Sequence, residues 1–426
     1  MRRTLLLTSF LLAASGFSGV AHSKVERAVD SLSQIKTNLF FTCKYESIPK
    51  STVGADALFQ YARWLQKNNQ LKQDKSIDAE VERLYRVAAE NDHYKANINL
   101  QNGSMRGHYK LRGEEHLRLS QKLIDAGVAT GYYFIGVFLN QGLAGLQEDK
   151  DMALRYFRKA ADHGSANAQA YVADKLAPIS IAPEIARQMR RCAAEQGNGE
   201  AAEALGNDLA VDGNYQKALE AFQLGVAAGN GSSSSFLENG FRGPIPGDRL
   251  YYLGQQEDLE RADRYQKIRR ILGSYSYADP KVPEINDILP LPPAKLPPWD
   301  GKLQWLEARL ANVPPPKPTD ALINELARAK LLEPATGKPM PGSPAFIKAS
   351  SPAPTCQSGQ ACPQTGYWQA SRLTDASQAS LQGGTIRHFE EGEILPMQSV
   401  ERHHRRFLRA DTTTVEDEVV EWWLLG

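Results

Sequence analysis

One short pattern recurs through the first half of this chain and restricts what it can fold into. It reads Arg-Val-Ala-Ala-Glu-Asn-Asp at 86–92, Leu-Ile-Asp-Ala-Gly at 123–127 and Lys-Ala-Ala-Asp-His-Gly at 159–164. It continues as Arg-Cys-Ala-Ala-Glu-Gln-Gly at 191–197 and Gly-Val-Ala-Ala-Gly at 225–229. With Asp92, Gly127, Gly164, Gly197 and Gly229 as closing positions, the steps are 35, 37, 33 and 32 residues. That period belongs to stacked helical hairpins, in which no hairpin buries its apolar face until a neighbour covers it. The alanines let neighbouring helices approach. The closing glycine takes the left-handed conformation that ends a helix at no steric cost. Solenoids of this kind grip other macromolecules, so binding is expected before catalysis.

Apolar periodicity places six hairpins between residues 24 and 277. They pair Asp56–Lys67 with Ile77–Glu90, Tyr94–Arg106 with Glu114–Ala126, and Thr130–Gln141 with Lys150–Asp162. Next come Ala166–Leu176 with Pro183–Glu195, Glu200–Ala210 with Tyr215–Ala228, and a less regular pair, Ser234–Gly240 with Leu259–Leu272. Residues 278–355 then carry Pro280, Pro283, Pro290, Pro292, Pro293, Pro297 and Pro298. Prolines at that density exclude helix interiors and sheet centres. The expectation is an extended strap, docked on the solenoid or acting as a stiff spacer. It is followed by short helices over Lys302–Ala311 and Thr319–Lys330. From 356 to 426 the period shortens, with strands expected at Thr365–Ser371, Thr385–Glu390, Arg405–Ala410 and Glu418–Leu425. The fold class is mainly α: an α-solenoid of about six helical hairpins, a Pro-rich strap and a small C-terminal antiparallel β module.

The first 23 residues read as a secretory signal: Arg2 and Arg3, an apolar run from Leu5 to Ala14, and Ala21-His22-Ser23 before the expected cleavage. Cleavage takes the net charge from +1 to −1, which gives no drive toward nucleic acid or anionic lipid. No later stretch is apolar enough for stable membrane insertion. No cysteine lies near the cleavage site, so no lipid anchor is expected. Export permits disulfides. Cys356 and Cys362, which flank a small loop containing Gly359, are the expected pair. Cys43–Cys192 is the remaining possibility, with a buried free thiol at Cys192 as its rival.

Catalytic signatures are missing. There is no Gly-x-Ser-x-Gly elbow and no His-Glu-x-x-His helix. A phospholipase-D-like motif fails at His93, where Leu100 stands in place of the aspartate, and falls short at His108-Tyr109-Lys110, which reaches Glu115. Glu114 and Glu115 read instead as acids at a helix N-terminus. His403-His404-Arg405-Arg406 reads as a basic strand edge, because adjacent strand residues point to opposite faces and cannot share a metal. No metal or cofactor is expected. Candidate partner contacts are Tyr132 and Tyr133, Asn97 and Asn99, Trp368, His403, Arg405 and Trp422. For the tyrosines and tryptophans, core packing is the competing reading, and Trp422 and Trp423 should point to opposite sides.

The alanine pair with its closing glycine, and the Gly-Tyr-Tyr-Phe-Ile-Gly opening at 131–136, resemble Sel-one-like repeats, a subclass of tetratricopeptide-like solenoids. The resemblance covers roughly 54–229. Beyond it, Gly243-Pro244, Asp248-Arg249-Leu250-Tyr251-Tyr252-Leu253, the Leu289–Asp300 stretch and 320–334 resemble a bacterial family of unknown function attached to such repeats. Exported members of that group look like immunity proteins of type VI secretion systems, which accompany lipase or phospholipase effectors delivered to the periplasm. The resemblance implies a periplasmic protein whose partner is such an effector. The alternatives are an envelope scaffold or regulatory adaptor that holds a protein in its groove and, least favoured, a hydrolase.

Overall fold

The computed structural model describes residues 39–177, 182–346, 355–372, 379–381, 385–404 and 412–424. Six helical hairpins form the solenoid. They are α1 (Val53–Asn69) with α2 (Lys75–Glu90), α3 (Tyr94–Met105) with α4 (Gly113–Asp125), and α5 (Thr130–Gln141) with α6 (Lys150–Asp162). Next are α7 (Ala166–Leu176) with α8 (Pro183–Glu195), α9 (Gly199–Val211) with α10 (Tyr215–Ala227), and α11 (Gly231–Gly240) with α12 (Leu259–Ser274). Each closing position of the repeat is left-handed: φ is 62° at Asp92, 74° at Gly127, 109° at Gly164, 87° at Gly197 and 84° at Gly229. The residue after the closing position commonly caps the next helix. Ser165, Asn198 and Asn230 accept from the backbone N–H of Ala168, Ala201 and Ser233.

The alanine pairs at 88–89, 160–161 and 193–194 are buried. Gly206 admits the ring of Phe222 so closely that an added Cβ would lie 2.5 Å from it. The first two hairpins share one core around Leu58, Leu84 and Tyr85. A second core centres on Phe134, Phe138 and Phe157, and a third on Phe222, Phe241 and Tyr265.

Residues 39–50 run across the hairpin junctions. Lys44 O accepts from Gln169 Nε2 at 2.9 Å, Glu46 receives both the amide and the hydroxyl of Thr130, and Cys43 is bonded to Cys192. The expected Cys356–Cys362 bridge is not formed. Cys356 Sγ lies 3.2 Å from Gln360 Oε1, and Cys362 Sγ lies 3.1 Å from Gln364 O. Each thiol faces an acceptor in its own turn, and both are buried.

The Pro-rich strap is docked. Val282 N donates to Ala227 O, Gln223 Nε2 to Leu289 O, and the guanidinium groups of Arg261 and Arg264 reach Ala294 O and Pro297 O. After a short turn, α13 (Ile285–Ile288), Leu303 is buried in the third core, with Phe222 and Tyr265. Then α14 (Gln304–Ala311) buries no residue at all. Asn312 Oδ1 accepts from Trp64 Nε1 at 3.0 Å and Asn68 Nδ2 at 3.1 Å, both on α1. Finally α15 (Asp320–Ala329) sinks Ile323 and Ala327 into the first core. The strap therefore leaves the last hairpin and lands on the first, tying the two ends of the solenoid.

The C-terminal module holds two antiparallel sheets. One has the order β1-β7-β2-β4, from Thr355–Gln357, Val420–Leu424, Gly366–Arg372 and Ile386–Phe389. The other has the order β3-β5-β6, from Ala379–Leu381, Gln398–His404 and Thr412–Glu418. The strand expected at Arg405–Ala410 lies outside the described residues. Two clasps hold the module to the solenoid. The Gln369 amide exchanges two hydrogen bonds with the backbone of Gln147. Asp149 Oδ2 accepts from Thr385 N at 2.8 Å and Oγ1 at 2.6 Å, while its Oδ1 caps α6 at Met152 N.

Two outcomes follow. Gly206→Val should cost about 1–3 kcal/mol in urea unfolding, because the Phe222 ring has nowhere to move in a packed core. Cys43→Ser, which opens a cross-link between residues 149 apart in sequence, should cost about 2–5 kcal/mol in the same assay.

Candidate functional site

The junction of the third hairpin with the β module gathers aromatic and basic side chains at the surface. Tyr156 and Lys159 of α6 and His163 at its C-terminal cap follow helical spacing and share one face. Tyr132, in the first turn of α5, lies against that face. Its ring stacks on His163 at 5.3 Å between centroids, sits 6.5 Å from Tyr156, and carries Lys159 Nζ 4.5 Å above it. Burial raises the Tyr156 phenol, and the neighbouring phenols of Tyr367 and Tyr132 raise it further. Tyr156 therefore stays neutral near pH 7, and the surface offers rings and hydroxyls beside the Lys159 amine.

Strand alternation carries the surface onto the module. On β2, Trp368 and Ala370 point into the module core, so Tyr367 and Gln369 point away from it. Tyr367 is 57% exposed and meets His388 edge-on at 5.1 Å. Trp423 pairs with Gln369 across β7 and β2, shares its face, and is 39% exposed. Rings with one polar edge, held on regular elements beside a lysine, suit a protein contact, since such side chains bury large area at little entropic cost.

The candidates named from sequence are scattered. Tyr132 belongs to this surface. Tyr133 points into hairpin packing between Phe134 and Phe157, its phenol raised by burial and then by Glu200 and Tyr171. Asn97 is no surface contact: it is fully buried, donating to Leu119 O and accepting from Gln101 Nε2. Asn99 is committed inward to Tyr85 Oη. These amides serve an internal polar network, in which Gln101 Oε1 also receives Ser120 Oγ and faces His116 Nδ1. Trp368 and Trp422 are likewise wholly buried, with indole N–H groups satisfied by Gln364 O and Pro396 O. His403 lies on β5 opposite Thr413, and Arg405 lies outside the described residues. Sequence reasoning missed Tyr156, His163 and Tyr367 as surface groups. The available signal was helical spacing on α6 and the alternation that assigned Trp422 and Trp423 to opposite faces.

The near-motif at His108 is structural. Glu115 Oε2 accepts from Arg112 N at 2.9 Å, completing the start of α4, and its Oε1 meets Arg86 Nη1 at 2.7 Å. Burial pushes that carboxyl up, but the hydrogen bond and charge of Arg86 outweigh it and hold the pKa below its usual range. Among the described residues, no three His, Cys, Asp or Glu side chains converge as metal ligands, and no helix is long and apolar enough to cross a membrane.

Residues 233–340 match the family described as a domain of unknown function, DUF6396. Those residues are the last hairpin, the docked strap, the bridge α14 and its landing helix. No curated protein matches the chain. Among solved structures it is similar to the Pseudomonas aeruginosa protein PA5086, at 25% identity and TM-score 0.45, covering 59% of this chain and 95% of that one. It is similar to the immunity protein Pa5087 of Pseudomonas aeruginosa at 25% identity and TM-score 0.46, covering 60% and 95%. A Sel1 repeat protein from Oxalobacter formigenes matches at 20% identity and TM-score 0.35, covering 59% and 95%.

The buried network makes stability pH-dependent. Burial pulls the His116 imidazole down to about 4, with the Glu115 charge opposing and Arg86 assisting. In the unfolded chain the same group titrates near about 6.5. As pH falls through that window the unfolded state takes up a proton that the native state refuses. Stability that is fully present above pH 6.5 is therefore lost toward pH 4. Thermal unfolding across that range should show the midpoint falling with acidity, and His116→Gln should flatten the slope.

Proposed function

We propose that this chain is an exported binding protein that neutralises a type VI secretion antibacterial effector, a periplasmic lipase or phospholipase, by occupying its surface without chemistry of its own. The observation that carries the reading is the aromatic and cationic surface on which half-buried Tyr132 and Tyr156 of α5 and α6 adjoin exposed Lys159, and Tyr367 and Trp423 stand exposed on the face of β2 and β7. That surface draws on two parts of the fold that Asp149 and Gln147 clasp together, so a partner meets a preorganised site. The resemblance of the repeats and the following segment to exported immunity proteins supplies the partner class. The Cys43–Cys192 bond agrees with an oxidising compartment.

Co-expression of the full chain with a periplasm-directed effector of that class should restore growth of cells that the toxin lyses, and the two proteins should elute as a tight complex. Tyr132→Ala, Tyr367→Ala and Trp423→Ala should each weaken that complex, the strongest by about 2 kcal/mol or more. Unchanged lysis, together with a pull-down that returns endogenous envelope proteins, would favour the adaptor reading instead.

A further inference from the structure

Where the bridge lands on the first hairpin, positive charge accumulates. Arg309 of α14 lies over three rings, 5.3 Å from Tyr277, 5.7 Å from Trp305 and 6.0 Å from Tyr275. On α1, Tyr61 and Trp64 stack at 5.9 Å, and Trp64 is fastened to Asn312, the residue that follows α14. Arg63 and Lys67 belong to the same helix. Lys67 is exposed overall, yet partial desolvation of its ammonium lowers its pKa, and the positive charges of Arg63 and Arg309 lower it further. Asp279 opposes them, yet its carboxylate already sits 3.0 Å from Lys281. Arg63 donates to the neutral amide of Gln66. Arg63, Lys67 and Arg309 therefore gather where the end of α14 meets α1, and the carboxylate that acts on Lys67 is already paired with Lys281, in a seam bordered by aromatic rings. Like charges held together by a fold repel one another, and a bound carboxylate relieves that repulsion.

We propose that this seam docks an acidic segment of the protein partner, one with clustered Asp or Glu side chains beside apolar ones. The inference rests on the reading that the chain binds a protein. Guanidinium groups pair with carboxylates in planar, two-point fashion. The ring faces and the exposed Leu310 and Val313 of the bridge receive the segment's apolar neighbours. A long polyanion fits less well, because the exported chain's overall charge of −1 supplies no extended positive field. The seam lies at the bridge and α1, on elements separate from the α5–α6 and β-module surface, so partner contact is two-pointed.

The test uses the full exported chain and a short fluorescein-labelled peptide of glutamates and leucines. A peptide with glutamine at every glutamate position, and oligothymidylate, serve as comparisons, all read by anisotropy. The glutamate peptide should bind about tenfold more tightly than its glutamine counterpart, a difference of about 1.4 kcal/mol. Raising salt should weaken it, since the seam is open to solvent. Arg309→Gln and Lys67→Gln should each weaken binding severalfold, whereas Tyr132→Ala should leave it unchanged. Lys67 is exposed, so its variant keeps the test alive if loss of Arg309 disturbs the bridge. Equal binding of the two peptides, indifference to Lys67→Gln, or tighter binding of oligothymidylate would overturn the proposal. Peptide binding without protection from the toxin would instead sink the immunity reading and leave the seam standing.

Discussion

Ile323 and Ala327 lie in the core of the first hairpins, although the chain reaches them only after completing the last one. That landing is the constraint on which the rest depends. An open solenoid leaves its terminal hairpins with one uncovered face each, and each repeat leans only on its neighbours. Here the strap covers α10 and α12 at one end with its backbone carbonyls, and α15 covers α1 and α2 at the other. The arginines Arg261 and Arg264 make this possible, since they satisfy carbonyls in a proline-rich segment that has few N–H groups of its own.

Closure fixes where binding can occur. The disulfide and the 39–50 segment lace the middle hairpins along one edge, and Asp149 and Gln147 clasp the β module to the third hairpin. The aromatic surface around Tyr132 and Tyr367 and the cationic seam at Arg309 are thus held by packed elements. Neither depends on a loop ordering itself at the moment of contact. Occupancy of a partner's surface asks for that kind of rigidity, and it asks for no acid–base machinery. The tight acid–base pairing of Arg86 and Glu115 is spent on joining α2 to the start of α4.

The solenoid was legible because its signals are local and repeated. An alanine pair, a left-handed closing residue and a capping Ser or Asn each act within a few residues, and all five closing positions take the conformation the pattern requires. The strap's prolines announced extended chain, but its destination was hidden. Nothing in Pro314-Pro315-Pro316 or in the amphipathic stripe of α15 says which face of which hairpin will accept Ile323. The site was read less well for the same reason. Asn97 and Trp422 looked like contact residues by type, yet one anchors a polar network under α4 and the other fills the module core. Partners such as Leu119 O and Pro396 O lie tens of residues away. Strands β5 and β6 escaped notice because their composition is polar on both faces, so no apolar alternation marks them.

The measurement that tests the closed solenoid most directly is native-state hydrogen exchange on the full chain, resolved by helix. Slow exchange reports how much structure must open before an amide is exposed. If the strap ties the ends together, amides in α1, α2 and α12 should be about as protected as those in α5 and α6. Protection that falls steadily from the middle hairpins toward both ends, as in an open array of repeats, would contradict the account.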